Sequence, residues 1–322
     1  MTRTPNQEAS IRSWIYSPSR ASGSVRFVRE GLMSFKGGLA VNNYDLKASN
    51  AKKFVYSFDG GIFKPTIETA GPSRTDAYKE CRYAIFKSPA YQGFEAGSRG
   101  MTVDMSECTR YTIAAPVRGV GTIEKVGSGV LVLGTGRTFA DGYTEVRGFN
   151  DNTVTNDPTK VVESGVVTVQ NAGGVHVAEG TVEVEAGATD VNSSFTVDAG
   201  CTVDLAGNTV ELGALKGEGE VSGGTISAVC FKPLAEGESA ATLKDVSVGK
   251  VYVDFGGAAA GKTAYRIAKV GTGVTGTMAG KTFRAKALNT GDATLKTADC
   301  TVDDAGNVFA TPVPVGLLLI VR

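Results

Sequence analysis

Between about residues 94 and 227, apolar and β-branched residues come in short runs broken by Gly-x-Gly or Ala-Gly, with almost no 3.6-residue periodicity. Thr122-Ile-Glu-Lys-Val126, Gly129-Val-Leu-Val-Leu133, Val166-Val-Thr-Val169, Val175-His-Val177, Thr181-Val-Glu-Val184 and Phe195-Thr-Val197 each predict a short strand. The flanks read differently. Residues 1–93 are more aromatic and basic (Trp14-Ile-Tyr16, Val25-Arg-Phe-Val28, Tyr83-Ala-Ile-Phe86), carry a polar insertion around Gly71–Lys79, and predict irregular N-terminal β coils or a cap. After Cys230 the runs lengthen, as in Lys250-Val-Tyr-Val-Asp-Phe255, Ala264-Tyr-Arg-Ile267, Lys281-Thr-Phe-Arg284 and Gly316-Leu-Leu-Leu-Ile-Val321. Asp303-Asp-Ala-Gly-Asn307 predicts a hairpin turn between Cys300-Thr-Val302 and Val308-Phe-Ala310. The expected organisation is therefore an all-β chain with N-terminal coils over 1–93, a repeat region over 94–230 and a β-rich C-terminal cap over 231–322.

Two blocks repeat in the same order. Thr102-Val-Asp-Met105 lies over Thr202-Val-Asp-Leu205, and Val117-Arg-Gly-Val-Gly-Thr-Ile123 over Leu215-Lys-Gly-Glu-Gly-Glu-Val221. Such repetition predicts a solenoid, because a coil of short strands cannot bury its inward side chains alone and must stack on neighbours. Stacked coils leave unpaired edges only at the two ends, which is why the ends should differ from the middle.

Gly119-Val-Gly-Thr-Ile-Glu-Lys-Val-Gly-Ser-Gly-Val-Leu-Val-Leu-Gly134, followed by Thr138-Phe-Ala-Asp-Gly-Tyr-Thr-Glu-Val146, resembles the autotransporter-associated β-strand repeat, with its glycines, Lys125 and aliphatic residues at the expected spacing. Ala264 to Gly276 resembles the segment that often closes such passenger regions. The resemblance implies a right-handed parallel β-helix displayed outside a Gram-negative-type bacterial cell, that is, a secreted or cell-surface passenger domain of adhesin type. Only one clear copy of the repeat is present, and no alternating amphipathic strands follow that would build an outer-membrane barrel.

Composition narrows the function more than it defines it. Glycine supplies 42 of the 322 residues, in keeping with many tight turns, and 33 basic residues balance 33 acidic ones, so no overall field would gather nucleic acid or an anionic membrane. No apolar stretch approaches the roughly 20 residues of a membrane-spanning helix, and the polar start shows no signal peptide in this chain. The cysteines (Cys81, Cys108, Cys201, Cys230, Cys300) contain no C-x-x-C and are expected as buried thiols, with a Cys81–Cys108 disulfide as the alternative.

Several motifs carry candidate chemistry. Gly256-Gly-Ala-Ala-Ala-Gly-Lys-Thr263 fits the P-loop pattern, but only six residues, Tyr265–Val270, separate it from Gly271-Thr-Gly273, too few for the helix whose N-terminus would hold phosphate. The G-x-G-x-x-G match Gly271–Gly276 lacks a helix for the same reason, and Asp254-Phe-Gly256 has no accompanying kinase motifs. The single histidine, His176, alternates with Val175 and Val177 and is expected on the solvated side of a strand. Catalysis of glycan cleavage would need paired carboxylates on one face. The candidates are Asp104 with Glu107, Asp198 with Asp204, and Glu183 with Glu185, the last about 7 Å apart if they share a strand face. No catalytic, cofactor-binding or metal residue is assigned. The expected function is a structural or adhesive module whose partners would be glycans or surface proteins; the alternatives are a carbohydrate-active β-helix enzyme and, more remotely, a P-loop nucleotide binder.

Overall fold

The computed structural model describes residues 9–12, 23–28, 31–36, 39–41, 54–66, 83–86, 92–114, 116–134, 167–257, 259 and 262–314. Among them every regular element is a β-strand. A five-stranded sheet takes β2 (Gly23–Val28), β5 (Phe54–Asp59), β8 (Gln92–Ala96), β11 (Val117–Gly119) and β14 (Val169–Asn171). An eight-stranded sheet takes β1 (Ala9–Arg12), β3 (Leu32–Lys36), β6 (Gly61–Thr66), β9 (Met101–Asp104), β12 (Ile123–Val126), β15 (Val175–Val177), β17 (Phe195–Val197) and β20 (Leu215–Gly217). A third sheet begins with β4 (Leu39–Val41), β7 (Tyr83–Phe86), β10 (Arg110–Ala114), β13 (Val130–Leu133), β16 (Thr181–Val184), β18 (Thr202–Asp204), β21 (Glu220–Phe231) and β22 (Thr242–Asp254), with β19 (Thr209–Leu212) beside β21. All pairings within these sets are parallel, and where no long insertion intervenes most partners lie 18 to 23 residues apart, as in Thr202 with Glu220, Arg110 with Val130 and Phe94 with Val117. From β5 to β18 the chain visits the sheets in turn, each visit adding one strand beside the last, and only the rung after β14 leaves out its strand in the five-stranded sheet.

In-register stacking turns the two-residue alternation of each strand into continuous interior ladders. Tyr111, Leu131, Val182, Val203, Val221 and Leu243 are consecutive register partners, and all are buried. Burying each such aliphatic side chain contributes roughly 1.5 to 3 kcal/mol. Toward the N-terminus the interior becomes aromatic: Phe63 meets Phe94 and Tyr111 with ring centroids 5.2 and 5.8 Å apart, both edge-on.

The repeated sequence blocks do not mark equivalent sides of the rungs. Thr102-Val-Asp belongs to β9 in the eight-stranded sheet, whereas Thr202-Val-Asp belongs to β18 in the third; Val117-Arg-Gly and Leu215-Lys-Gly likewise fall in different sheets. What recurs is a local device. Asp104 and Asp204 each accept the N–H two residues on, from Ser106 at 2.9 Å and Ala206 at 2.8 Å, closing an Asx turn after the strand. Gly119 (φ +113°) and Gly217 (φ +98°) both end a strand where a Cβ would stand 2.1 Å from a carbonyl oxygen of the rung below, that of Ala96 or Val197. Only glycine permits that approach.

At the C-terminal end the architecture changes. Here β22, held along one edge by its ten-position pairing with β21, pairs in parallel along the other through Tyr252–Asp254 with β25 (Thr282–Leu288), and β25, β26 (Leu295–Val302), β27 (Asn307–Pro314) and β23 (Tyr265–Val270) then pair antiparallel in that order. Strand β23 then pairs with the start of β22 through Thr242–Lys269 and Leu243–Val270, so these five strands close into a small barrel, with the short β24 (Thr275–Gly276) on β22 at Ser247–Val248, between those two pairings. Ala268, Ala285, Ala298 and Ala310 are all buried, and such small side chains suit so narrow a ring. The expected turn is present: Asp303 N–H donates to Asn307 O and Gly306 N–H to Asp303 O between β26 and β27. The runs at Trp14–Tyr16 and Gly316–Val321 and the insertion at Gly71–Lys79 lie outside the described residues, and the strand expected from Val166 begins at Val169.

Candidate functional site

Charged residues on the outer faces stand at fixed positions because strand alternation turns every second side chain outward, and register then lines them up rung by rung. On the eight-stranded sheet, Lys64 of β6 reaches Asp104 at 3.2 Å and Glu107 at 2.9 Å. The first expected carboxylate pair therefore does converge, but on an ammonium. Burial pushes the Asp104 carboxyl up, while hydrogen bonds from Ser106 and Lys64 outweigh it and hold the group below its ordinary 3.8.

On the same face the register partners Glu124 and His176 come together, with Nδ1 3.7 Å from Glu124, while Nε2 lies 3.0 Å from Asp198. The imidazole is 30% exposed and sits between two carboxylates from the rungs on either side, rather than standing in open solvent. Asp198 is thereby separated in role from Asp204, which belongs to another sheet and caps its own turn. That second pair is not brought together.

Glu183 points outward from β16 and receives both guanidinium nitrogens of Arg110, at 2.7 and 2.6 Å. Arg110 lies on β10 and β13 runs between the two strands, so the bidentate pair crosses β13 diagonally, from Val130, the register partner of Arg110, to Val132, that of Glu183. Val132 is fully buried although it alternates with the inward Leu131 and Leu133. A carboxylate held in this way is poorly placed to act as nucleophile or base. Glu185 follows the end of β16.

The least anticipated residue is Lys125. It continues an interior ladder that runs Phe63, Val103, Lys125, Val177, Val197, and it is 0% exposed. Its Nζ donates to the carbonyl oxygens of Gly127 and Glu179 at the corner of the rung, and the Glu179 carboxylate accepts the Gly127 N–H at 2.7 Å. Desolvation pulls the Lys125 ammonium below its ordinary 10.5, opposed by charge interactions with Cys201 and Glu179. Burial, with help from Asp198, raises the Cys201 thiol. The signal lay in Ile123-Glu-Lys-Val126: a residue two places from an inward isoleucine faces inward.

Elsewhere the nucleotide-type motifs find their backbone groups already used. Gly256 N–H donates to Asp254 Oδ1 at 3.0 Å, Gly257 N–H to Asn289 O, and Ala259 N–H to Thr290 O at 3.2 Å; Ala258, Ala260 and Gly261 lie outside the described residues. The segment after the motif is strand β23, and Lys262 is exposed. Gly271–Gly276 is a turn leading into β24. Cys230 and Cys300 are thiols, with burial raising Cys300 to about 12; Cys108 Sγ donates to Arg110 O, and Cys81 lies outside the described residues. Among the described residues no group of three or more His, Cys, Asp or Glu side chains is arranged to hold a metal ion, and no helix is long and apolar enough to cross a membrane. Residues 135–146 of the repeat-like block are outside the described residues. Comparison with family models, curated proteins and solved structures returns no match.

Proposed function

We propose that the chain winds as a right-handed parallel β-helix and serves as a structural or adhesive, passenger-like module, secreted or displayed at a cell surface, with glycans or surface proteins as partners. The observation that carries this reading is the state of the outer carboxylates. Asp104 and Glu107 share Lys64, Glu183 is clamped by Arg110, and Asp198 holds His176, so the charges that could have formed a cleavage site instead tie the rungs of the stack to one another. A face built in this way offers a regular, rigid array of Thr and charged side chains, which suits repeated weak contacts to an extended ligand. The likeness of Gly119–Val146 to the autotransporter-associated repeat supports the location.

The test is a binding screen of the purified chain against glycan and matrix-protein arrays, run beside a polysaccharide-cleavage panel. Saturable binding without turnover is the expected result. Reproducible cleavage that Glu183→Gln or Asp204→Asn abolishes would overturn the proposal in favour of a carbohydrate-active enzyme.

A further inference from the structure

Apart from Lys125, the interior between β14 and β19 departs from hydrocarbon at four neighbouring positions. Thr168 (0% exposed), Asn171 (4%), Thr189 (4%) and Ser193 (1%) are all buried. They fall where the five-stranded sheet stops: β14 is its last strand, and the next rung crosses this side through residues 185–194 without forming one. There Ala188 O accepts the N–H groups of Thr168 and Val169 in place of a full ladder.

Side chains make good much of what the absent strand leaves unmade. Thr168 Oγ1 donates to Gly134 O at 2.6 Å, and Ser193 Oγ donates to Val169 O at 3.2 Å. Asn171 Nδ2 donates to Gly121 O at 2.6 Å and Gly174 O at 3.1 Å. Because the NH2 end of this amide faces two carbonyls, its orientation is fixed by its partners, and Oδ1 must serve as the acceptor. Yet Asn171 Oδ1 and Thr189 Oγ1 are both shielded from solvent and have no hydrogen-bond partner among the described residues. Buried polar atoms in native proteins are almost always paired, by protein or by ordered water.

We infer that this seam is an internal hydration site. A water molecule donates to Asn171 Oδ1, and Thr189 Oγ1 is bonded to the same water or to a second one joined to it. Water is the fitting ligand because the unmet demand is for a small donor at an amide oxygen, in a seam where Thr168 Oγ1, Asn171 Nδ2 and Ser193 Oγ already have partners. Internal waters commonly make about three bonds to groups of this kind.

A crystal structure at about 1.5 Å or better decides the matter on the wild-type chain. The expected result is a well-ordered peak within about 3.2 Å of Asn171 Oδ1. In solution, the Asn171 side-chain amide protons should show rotating-frame Overhauser peaks to a long-lived water. In Thr189→Val, the peak at Asn171 should persist while any peak anchored on residue 189 is lost. A structure in which Asn171 Oδ1 stands without a neighbour, or in which Thr189 Oγ1 donates to it directly, would overturn the inference.

Discussion

Replacing Lys125 separates the contribution of its stem from that of its ammonium. The side chain is 0% exposed, its methylenes lie between Val103 and Val177, and its Nζ satisfies two carbonyl oxygens. Lys125→Met keeps most of the packed volume and removes both donors, leaving the Gly127 and Glu179 oxygens short of a partner at about 1 to 3 kcal/mol each. Relief from burying a charge, worth several kcal/mol, offsets that loss. Lys125→Ala suffers the same loss and adds a cavity, typically about 2 to 5 kcal/mol for a side chain of this size. The alanine variant should therefore be less stable than the methionine variant by about 2 kcal/mol or more in urea titrations followed by circular dichroism.

The pH dependence of the Lys125→Met comparison isolates the charge. Desolvation lowers the folded-state pKa below 10.5, so between that lowered value and 10.5 the unfolded chain binds the extra proton. Wild-type stability relative to Lys125→Met must then rise with pH across that window, by at most about 1.4 kcal/mol per pH unit, and stay level below it. Equal stability of Lys125→Ala and Lys125→Met at neutral pH, or a wild-type stability that falls relative to Lys125→Met as the pH is raised toward 10.5, would refute the reasoning.

Gly119→Ala and Gly217→Ala should each cost about 2 kcal/mol or more, because a Cβ would meet a carbonyl oxygen at 2.1 Å; Gly200→Ala, at φ +79° with no atom within 4 Å of its Cβ, should cost only about 1 kcal/mol, and denaturant titrations of the three give the order directly. Glu183→Gln should lower stability by about 1 kcal/mol in low salt and by less in 1 M NaCl, since Arg110 remains 44% exposed, which thermal melts at the two salt levels will resolve. Asp104 sits below its ordinary 3.8, so its contribution is present above pH 3.8 and is lost as pH falls through the lower folded value; Asp104→Asn should show a shallower loss of stability there than wild type in acid titrations. An ATP titration by calorimetry should show no binding that depends on Lys262, because the amides of Gly256 and Gly257 are already engaged and β23 replaces the helix; a wild-type affinity lost in Lys262→Ala would contradict this.

The strands were the most legible part of the sequence, because alternating Val, Ile and Thr bounded by glycine have few other uses: Val175–Val177, Thr181–Val184 and Phe195–Val197 appear as expected. Their assembly was harder to see. Thr102-Val-Asp and Thr202-Val-Asp look like one repeat because both end in the same Asx turn, and that turn is local chemistry which any side of a rung can use. Ring closure between β23 and β22 depends on a pairing that spans residues 242 to 270, which no short-range pattern encodes. Among charged residues the default of solvent exposure hid the interior position of Lys125 and the straddling reach of Arg110 to Glu183, since both are set by register between rungs rather than by neighbours in the chain.

Strand β22 is shared. Its ten register positions with β21 make it a full rung of the stack, and the two ends of its other edge hold β23 and β25 of the barrel. Melting the barrel would strip one edge of that rung, and melting the rung would open the ring, so the two form one cooperative block. The opposite end has no such clasp among the described strands: β1, β2 and β4 each pair on one side only. In a nearest-neighbour stack this asymmetry gives unfolding a direction. Amide hydrogen exchange should accordingly slow progressively from the first described rungs toward β22.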